Sequence, residues 1–152
     1  MFDLSNYLPY LLNRVGFAVT DRFGETLVQE SLTVPMWRVL AVLLHDGSQR
    51  IGDLAELTSI EISTLSRLVG SMQRRGFLTR KRAQADARVV NVALTTRGRA
   101  ITERLLPVAI ALEETLVGPL PAGEVAELKR LLHMLHVNLA AEPARAATER
   151  SA

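Results

Sequence analysis

Near the middle of the sequence, a run of basic side chains surrounds a single carboxylate. Asp86 and Arg88 stand two residues apart, and the basic residues before them are Arg80, Lys81 and Arg82. Residues two apart on an extended chain project to the same face, so the carboxylate can orient the guanidinium through paired N–H···O bonds. A guanidinium held in this way is suited to binding phosphate or another anion, whereas an isolated surface pair of this kind contributes little to stability.

A second group of polar side chains accompanies a helical apolar pattern between residues 61 and 75. Ile62, Leu65, Val69 and Met72 are spaced to form the buried face of a helix. The side chains that then face outward near its start are Glu61, Ser63, Thr64, Ser66 and Arg67. Hydroxyl and guanidinium groups hydrogen-bond to phosphates and to base edges, so this helix is a candidate to enter a DNA groove. The alternative is an amphipathic helix whose polar face only meets water.

The charge of the chain is segregated, although its net value is only +2. Between Arg67 and Arg104 there are ten Arg or Lys residues and two acids, whereas the rest of the chain has eight basic and fourteen acidic residues. Such segregation indicates a polyanionic partner for the middle of the chain. A basic face that is merely solvated is the alternative, since a basic stripe is only one sign of nucleic-acid binding.

Apolar periodicity and cap residues predict the elements that carry these groups. The predicted elements are helices at 4–30, 33–46, 51–57 and 61–75, strands at 77–82 and 89–95, a long helix from Thr95 or Thr96 to Val117, and a last helix over 125–139. Thr33 is a predicted N-cap, and Thr58 with Glu61 has the spacing of a capping box. Gly76 suits the position that follows a helix end.

The order of these elements is that of a winged helix-turn-helix. Two short helices joined by a tight turn are followed by a two-stranded hairpin. In this arrangement the second helix enters the major groove, and an arginine at the hairpin tip fits a narrow minor groove. The predicted fold class is mainly α with a small β-hairpin wing (α+β), with further helices on both sides of the motif.

Three segments resemble the MarR family of bacterial transcriptional regulators. They are LTVPMWRVL at 32–40, IGDLAELTSIEISTLSRLVGSMQRRGFLTR at 51–80 and DARVVNVALTTRG at 86–98. The resemblance implies a homodimer, formed by the first and last helices, that places two winged motifs on a palindromic DNA operator. It also implies that 61–75 is the recognition helix and 77–95 the wing, with Asp86 and Arg88 as the motif pair of the wing.

The motifs and the resemblance together predict a sequence-specific DNA-binding transcriptional regulator. We expect a homodimeric repressor that a small, aromatic and anionic ligand releases from double-stranded DNA. The residues expected at the DNA are Ser63, Thr64, Ser66, Arg67, Arg74, Arg80, Lys81, Arg82, Asp86 and Arg88. The alternatives are a winged-helix module for protein–protein interaction without DNA binding, and a metal-responsive regulator.

The predicted organisation has four regions along the chain. They are an N-terminal dimerisation helix at 1–30, a DNA-binding lobe at 31–98, linker and C-terminal dimerisation helices at 99–140, and a flexible tail at 141–152. The resemblance implies a ligand crevice between the dimer helices and the DNA-binding lobe. Its predicted lining residues are Tyr10, Arg14, Phe17, Trp37, Arg38 and His45, with aromatic walls and an arginine for a ligand carboxylate. The alternative for Trp37 and Phe17 is an ordinary place in the core.

Several kinds of function are disfavoured by what the sequence lacks. Without cysteine it has no disulfide, thiolate metal site or thiol switch, and His133 with His136 provides two ligands where a zinc site needs three or four. No Ser/His/Asp set, phosphate loop or paired carboxylates indicate an enzyme, and we expect no cofactor. We expect a cytoplasmic protein without a membrane partner, because no secretory signal and no apolar run of about 18 residues is present.

Overall fold

The computed structural model describes residues 2–82 and 90–149, with the backbone alone described over 141–149. In chain order its elements are a 3₁₀ turn (Leu4–Asn6), α1 (Leu8–Gln29), α2 (Val34–Asp46), β1 (Gln49–Arg50), α3 (Ile51–Thr58), α4 (Ile62–Arg74), β2 (Leu78–Arg82), β3 (Val90–Leu94), α5 (Thr96–Val117) and α6 (Ala122–Glu149). The mainly helical chain with one small sheet confirms the predicted fold class. The 3₁₀ turn and β1 are additions to the predicted order.

Contacts between residues divide the chain into two units, Met1–Leu112 and Glu113–Ala152. The first unit contains the sheet, α1 to α4 and most of α5, and it holds the buried apolar core. The second unit contains the end of α5 and all of α6. Its described side chains, up to residue 140, are exposed apart from the half-buried Val117 and Val125.

The N-terminal helix begins later than its apolar pattern predicted. Asp3 caps the 3₁₀ turn by accepting a hydrogen bond from the Ser5 amide, and Pro9 stands in the first turn of α1. Proline is tolerated there because its fixed φ suits a helix, and because backbone N–H groups in the first turn have no hydrogen-bond partner within the helix. The predicted helix over 4–30 is therefore split, and Leu4 lies outside α1.

Caps end and begin the next helices largely as predicted. The Thr33 hydroxyl accepts a hydrogen bond from the Met36 amide at 3.4 Å and starts α2, and Gly47 follows its end with a φ of 74°. Gly76 follows α4 with a φ of 77°, in the left-handed region that glycine adopts without strain.

The predicted capping box at the start of α4 is wrong. Thr58 is the last residue of α3, and its buried hydroxyl donates to the Leu54 carbonyl at 2.6 Å. Ser59 then turns the chain with a φ of 54°, and Glu61 alone is the N-cap of α4. The spacing of Thr58 and Glu61 fits the motif, but the α3 backbone is the nearer partner for the Thr58 hydroxyl.

The sheet is antiparallel and has the strand order β1–β3–β2. The hairpin of β2 and β3 confirms the two predicted strands, with Arg80 opposite Val92. On the other side, Gln49 of β1 also faces Val92, which is fully buried at the centre of the sheet. The strand β1 was missed because two polar residues carry no apolar alternation that predicts a strand.

The recognition helix predicted at 61–75 packs onto the core through Leu65, Val69 and Met72, each fully buried. The sequence predicted that Ile62 is buried as well, but 52% of its surface is exposed. It lies at the start of α4 beside Ser63 and Thr64, which are exposed too.

The apolar face predicted along α1 is largely exposed. Leu8, Leu11 and Val15 are exposed, whereas Phe23 and Leu27, in the last two turns, are buried. Only the C-terminal part of α1 therefore packs into the core of the first unit.

The start of α5 is fixed closely against the start of β2. The Thr95 hydroxyl accepts a hydrogen bond from the Gly98 amide at 3.0 Å and donates to the Gly76 carbonyl at 2.6 Å. A Cβ on Gly98 would lie 2.0 Å from the Phe77 carbonyl oxygen, so only glycine allows this approach. Ile101 and Leu105, in the next turns, are buried in the same core.

The C-terminal helix is longer than predicted. The backbone of α6 continues to Glu149, through most of the segment at 141–152 that was expected to be a flexible tail. Among the described residues, no single helix is both long enough and apolar enough to span a membrane. Two consecutive pairs, α1 with α2 and α5 with α6, have the required length and hydropathy when taken together, but each pair is sharply bent.

Candidate functional site

Glu61 holds the first turn of α4, where the sequence predicted base-contacting hydroxyls. Its carboxylate accepts hydrogen bonds from the Ser63 hydroxyl, from the Ser63 amide at 2.9 Å and from the Thr64 amide at 3.0 Å. These bonds, led by that of the Ser63 hydroxyl, stabilise the ionised form and lower the pKa of Glu61 to about 2. The carboxylate therefore satisfies the amides that would otherwise attract a phosphate to this helix end.

The exposed surface of α4 carries the predicted polar and basic side chains. Ser63, Arg67 and Arg74 follow one another at helical spacing along one stripe, and Thr64 and Ser66 are exposed beside it. The Ser63 hydroxyl donates its proton to Glu61, so toward another molecule it acts as an acceptor. The stripe thus offers hydroxyl oxygens at the helix start and guanidinium groups further along.

Arg80 connects the hairpin to α4. Its Nη2 donates to the backbone carbonyl of Ser66 at 2.6 Å, and the side chain passes close to Gly70, where a Cβ would lie 3.9 Å from that nitrogen. Its Nε is buried and has no hydrogen-bond partner among the described residues. The sequence predicted Arg80 as a DNA contact, but its guanidinium is directed at the helix backbone.

The outer end of β2 continues past Arg80 with two exposed basic residues. Lys81 pairs with Asn91 and Arg82 with Val90, and their side chains alternate between the two faces of the hairpin. Asp86 and Arg88, the predicted wing pair, lie outside the described residues. The orientation of Arg88 by Asp86 therefore stays a prediction.

Two of the six predicted pocket residues share one depression. Phe17 and Arg38 lie with Thr20, Asp21, Val34 and Pro35 around an open depression of about 410 Å³ between α1 and α2. The other residues lie elsewhere: Trp37 packs edge-on against the Phe23 ring at 5.2 Å between centroids, as a core residue does.

The remaining three predicted pocket residues form local pairs. The Arg14 guanidinium lies 5.7 Å from the centre of the Tyr10 ring, which is one turn earlier on α1. His45 is exposed at the C-terminal end of α2, where its Nδ1 is 2.6 Å from a carboxylate oxygen of Asp46. Neither pair lines the depression beside Phe17.

A second cavity, of about 400 Å³, lies where α1 ends, α4 ends and α5 begins. Its charged lining residues are Glu30, Arg75, Arg97 and Arg104, and its apolar ones include Phe77, Ala100 and Ile101. Sequence reasoning counted the three arginines in the basic segment but assigned them no site. They are up to 29 positions apart, and no spacing rule brings them together.

Comparison with known proteins identifies the family. A model of the MarR family matches residues 32–90, from just before α2 to the first residue of β3. The crystal structure of a MarR family transcriptional regulator from Silicibacter pomeroyi DSS-3 is 37% identical, with a TM-score of 0.78, and the alignment covers 91% of this chain and 99% of that one. The chain belongs to the MarR family.

Two further relatives of this MarR family member are informative. The transcriptional repressor IacR of Pseudomonas putida is 29% identical over 91% of this chain and 83% of its own. BpsR of Bordetella bronchiseptica, whose structure is described as a mechanism for regulation of DNA binding by 6-hydroxynicotinic acid, is 26% identical. It aligns with a TM-score of 0.82 over 90% of this chain and 97% of its own.

Family membership settles the class of protein. MarR family proteins are transcription regulators and not enzymes, so this chain is a DNA-binding transcriptional regulator. Within the described residues, His, Asp and Glu side chains form no group of three or more that could hold a metal ion. In particular, His133 and His136 are exposed on α6 and are not part of such a group.

Glu61 and the Ser66–Arg80 contact are the functional features that sequence reasoning missed. The spacing of Glu61 two and three residues before Ser63 and Thr64 is a signal for an N-cap, but the apparent capping box with Thr58 obscured it. For Arg80 there was no signal, since its partner is a backbone carbonyl 14 positions earlier.

Proposed function

We propose that this MarR family protein is a homodimeric repressor that binds a palindromic operator and is released by a small anionic ligand. In each protomer, α4 enters the major groove and the hairpin contacts the adjacent backbone and minor groove. The observation that carries the proposal is the Ser66–Arg80 hydrogen bond, which joins β2 to α4 at the point where Arg67 and Lys81 extend from the two elements. Groove-directed and backbone-directed cations are thereby held in one rigid surface.

The proposed roles of the site residues rest on their positions and, for Asp86 and Arg88, on their spacing in the sequence. Ser63, Thr64, Ser66 and Arg67 face base edges and nearby phosphates, and Arg74, Lys81 and Arg82 contact the backbone. Asp86 orients Arg88 toward the minor groove. Arg80 acts through the α4 backbone rather than through DNA.

Exposed apolar side chains at both ends of the chain support the homodimer. Leu8, Leu11, Leu12 and Val15 are exposed on α1, and Leu128, Leu132, Leu135 and Leu139 on α6. The α6 residues have the 4-3-4 spacing of a helix–helix seam. Large contiguous apolar patches are rare on the surface of monomers, and burying apolar surface yields about 25 cal/mol per Å². We assign residues 1–30 to dimerisation, 31–98 to DNA binding, and 99–140 to a linker and the C-terminal dimerisation helices.

The ligand response is proposed from a relative and from the depression beside Phe17. The regulation of BpsR involves 6-hydroxynicotinic acid, an aromatic acid, and BpsR aligns over 90% of this chain. Phe17 and Arg38 offer an aromatic wall and a guanidinium in one open depression. A ligand that binds only the DNA-free form of the dimer would lower operator affinity.

Footprinting of DNA that flanks the gene tests the proposal. We expect two protected half-sites roughly 34 Å apart, and loss of protection with one member of a panel of aromatic acids. Arg67→Ala should weaken protection at the same protein concentration, whereas Arg99→Ala, which removes the same charge away from α4, should not. Protection of a single half-site contradicts the dimer, and absence of any specific protection supports the protein–protein module.

A further inference from the structure

We propose that the cavity formed by Arg75, Arg97 and Arg104 is the binding site for an organic oxyanion, a carboxylate or a phosphate ester. This site deepens the proposed ligand response. It rests on the proposed function in one respect only, namely that the bound oxyanion is the ligand that releases DNA. The cavity at the ends of α1 and α4 adds a second site to the depression beside Phe17. In that depression the Asp21 carboxylate accompanies the single guanidinium of Arg38, whereas guanidinium groups outnumber carboxylates in the cavity.

The charges around the cavity favour an anion. Three guanidinium groups and one carboxylate line it, and the carboxylate of Glu30 is held by Arg104, whose Nη2 donates to Oε2 at 2.5 Å. No other acidic side chain lines the cavity among the described residues. Arg75 and Arg97 therefore provide two positive charges beyond the Arg104–Glu30 pair.

Phe77 contacts both of these guanidinium groups. The Arg75 and Arg97 guanidinium carbons lie 4.8 Å and 5.1 Å from the centre of its ring, which is buried. The ring attracts both cations, and an oxyanion in the cavity that both arginines line would compensate their positive charge. A guanidinium stacked on a ring directs its N–H groups outward in its own plane, where they can grip a carboxylate or phosphate.

The only partner described for the Arg75 guanidinium besides the ring is a weak acceptor. Its Nη1 lies 3.4 Å from the Met36 sulfur, a thioether that competes poorly with an oxyanion. Arg97 lies in the first turn of α5, where the aligned backbone dipoles also favour negative charge. Both arginines are thus available to bind an oxyanion from neighbouring elements.

The size and the walls of the cavity indicate an organic molecule rather than a bare ion. Its volume of about 400 Å³ falls in the range of small-molecule sites, roughly 300–1,000 Å³. Ala100 and Ile101 of α5 add apolar surface beside the arginines. A charged head group would face Arg75 and Arg97 while the organic part contacts α5.

Occupation of the site would connect the recognition helix to its neighbours. Arg75 is the C-cap of α4, Glu30 is the C-cap of α1, and Arg97 is the second residue of α5. A ligand held by Arg75 and Arg97 would fix the end of α4 against α5, which gives it a direct influence on the DNA-binding surface.

The test uses the full chain without DNA, with inorganic phosphate and benzoate as probes at constant ionic strength. Calorimetric titration should show saturable binding of at least one probe to the wild type and to Arg99→Gln, an exposed α5 position that does not line the cavity. Arg97→Gln and, separately, Arg75→Gln should weaken that binding at least about tenfold, as expected for loss of a charged hydrogen-bond donor. Circular dichroism establishes that each variant is folded.

The outcomes separate the possible ligands and the two proposals. Binding of phosphate alone assigns a phosphate ester, and binding of benzoate alone assigns a carboxylate. Equal affinities in the wild type and both cavity variants, or no binding of either probe, would overturn the site. Failure of the proposed function is seen separately, as an absence of protected DNA in the footprint of the ligand-free protein.

Discussion

At the scale of single residues, Glu61 shows how one carboxylate defines the start of a DNA-binding helix. It accepts hydrogen bonds from the amides of Ser63 and Thr64, the residues that begin the proposed recognition surface. The free amides of a helix start would attract phosphate, so a carboxylate there shifts phosphate contacts to the side chains of the helix. We therefore expect the cap to contribute both to stability and to the position of DNA.

The Glu61 cap predicts a specific dependence of stability on pH. The pKa of Glu61 falls to about 2 in the folded chain, below its ordinary value of 4.5, so its contribution is complete above pH 4.5 and is lost as the pH falls toward 2. Urea denaturation should show Glu61→Gln to be less stable than the wild type at pH 6, with the difference shrinking below pH 4.5. Glu61→Asp should be as stable as the wild type. If the difference in stability between the wild type and Glu61→Gln stayed constant down to pH 2, the role of the charge would be contradicted.

Gly98 gives the second prediction at this scale. In Gly98→Ala the new Cβ would meet the Phe77 carbonyl oxygen at 2.0 Å, so β2 and α5 must separate. We expect a loss of about 3 kcal/mol and a Tm decrease of roughly 6–12 °C, measured by thermal denaturation. Gly52→Ala is the control, because a Cβ there meets nothing within 4 Å. It should leave Tm unchanged or slightly raised.

At the scale of elements, Arg80 makes the hairpin and α4 a single body. Its Nη2 bonds the Ser66 carbonyl, and the strand around it is paired to β3 through Val92. Because the side chain is half-buried between the two elements, we expect it to set the angle between them rather than to neutralise a phosphate.

The salt dependence of DNA binding distinguishes these two roles. Arg82→Gln removes an exposed cation, and the slope of log affinity against log salt should fall by about 0.9 for each lost phosphate contact. Arg80→Gln should reduce the affinity for DNA about tenfold and leave the slope unchanged, because it disturbs the position of the hairpin relative to α4 and removes no phosphate contact. Arg80→Lys, which keeps the charge but loses the planar fork, should behave like Arg80→Gln. Wild-type affinity for Arg80→Lys would assign Arg80 to DNA instead.

At the scale of the whole molecule, apolar side chains that are exposed on one chain determine the expected assembly. Leu132 of α6 is exposed, as are Leu128 and Leu135 on the same stripe. A chain that leaves such a stripe in water gains free energy by covering it with a second copy.

A charge in this stripe should therefore separate the protomers. We expect Leu132→Glu to sediment as a folded monomer at concentrations where the wild type is a dimer, since Leu132 is not part of the core of its own chain. Its operator affinity should fall with the loss of the second half-site. Asn138→Glu, an exposed polar position on the same helix, serves as the control and should remain dimeric. A dimeric Leu132→Glu would place the interface elsewhere.

Sequence patterns alone were enough for the order of the main helices, the hairpin and the family. These depend on local signals: apolar periods, the Thr33 cap, the glycines at 47 and 76, and motifs around α3 and α4. Such signals act within a few residues of the chain, so they can be read without knowing the fold.

Tertiary structure alone decided which side chains meet across the chain. It turned Arg80 onto Ser66, moved Ile62 out of the core and placed Phe17 and Arg38 at one depression. It also gathered Arg75, Arg97 and Arg104 around one cavity. These contacts join residues up to 74 positions apart, as in the Arg104–Glu30 pair, and their geometry depends on how helices and strands pack rather than on any local spacing.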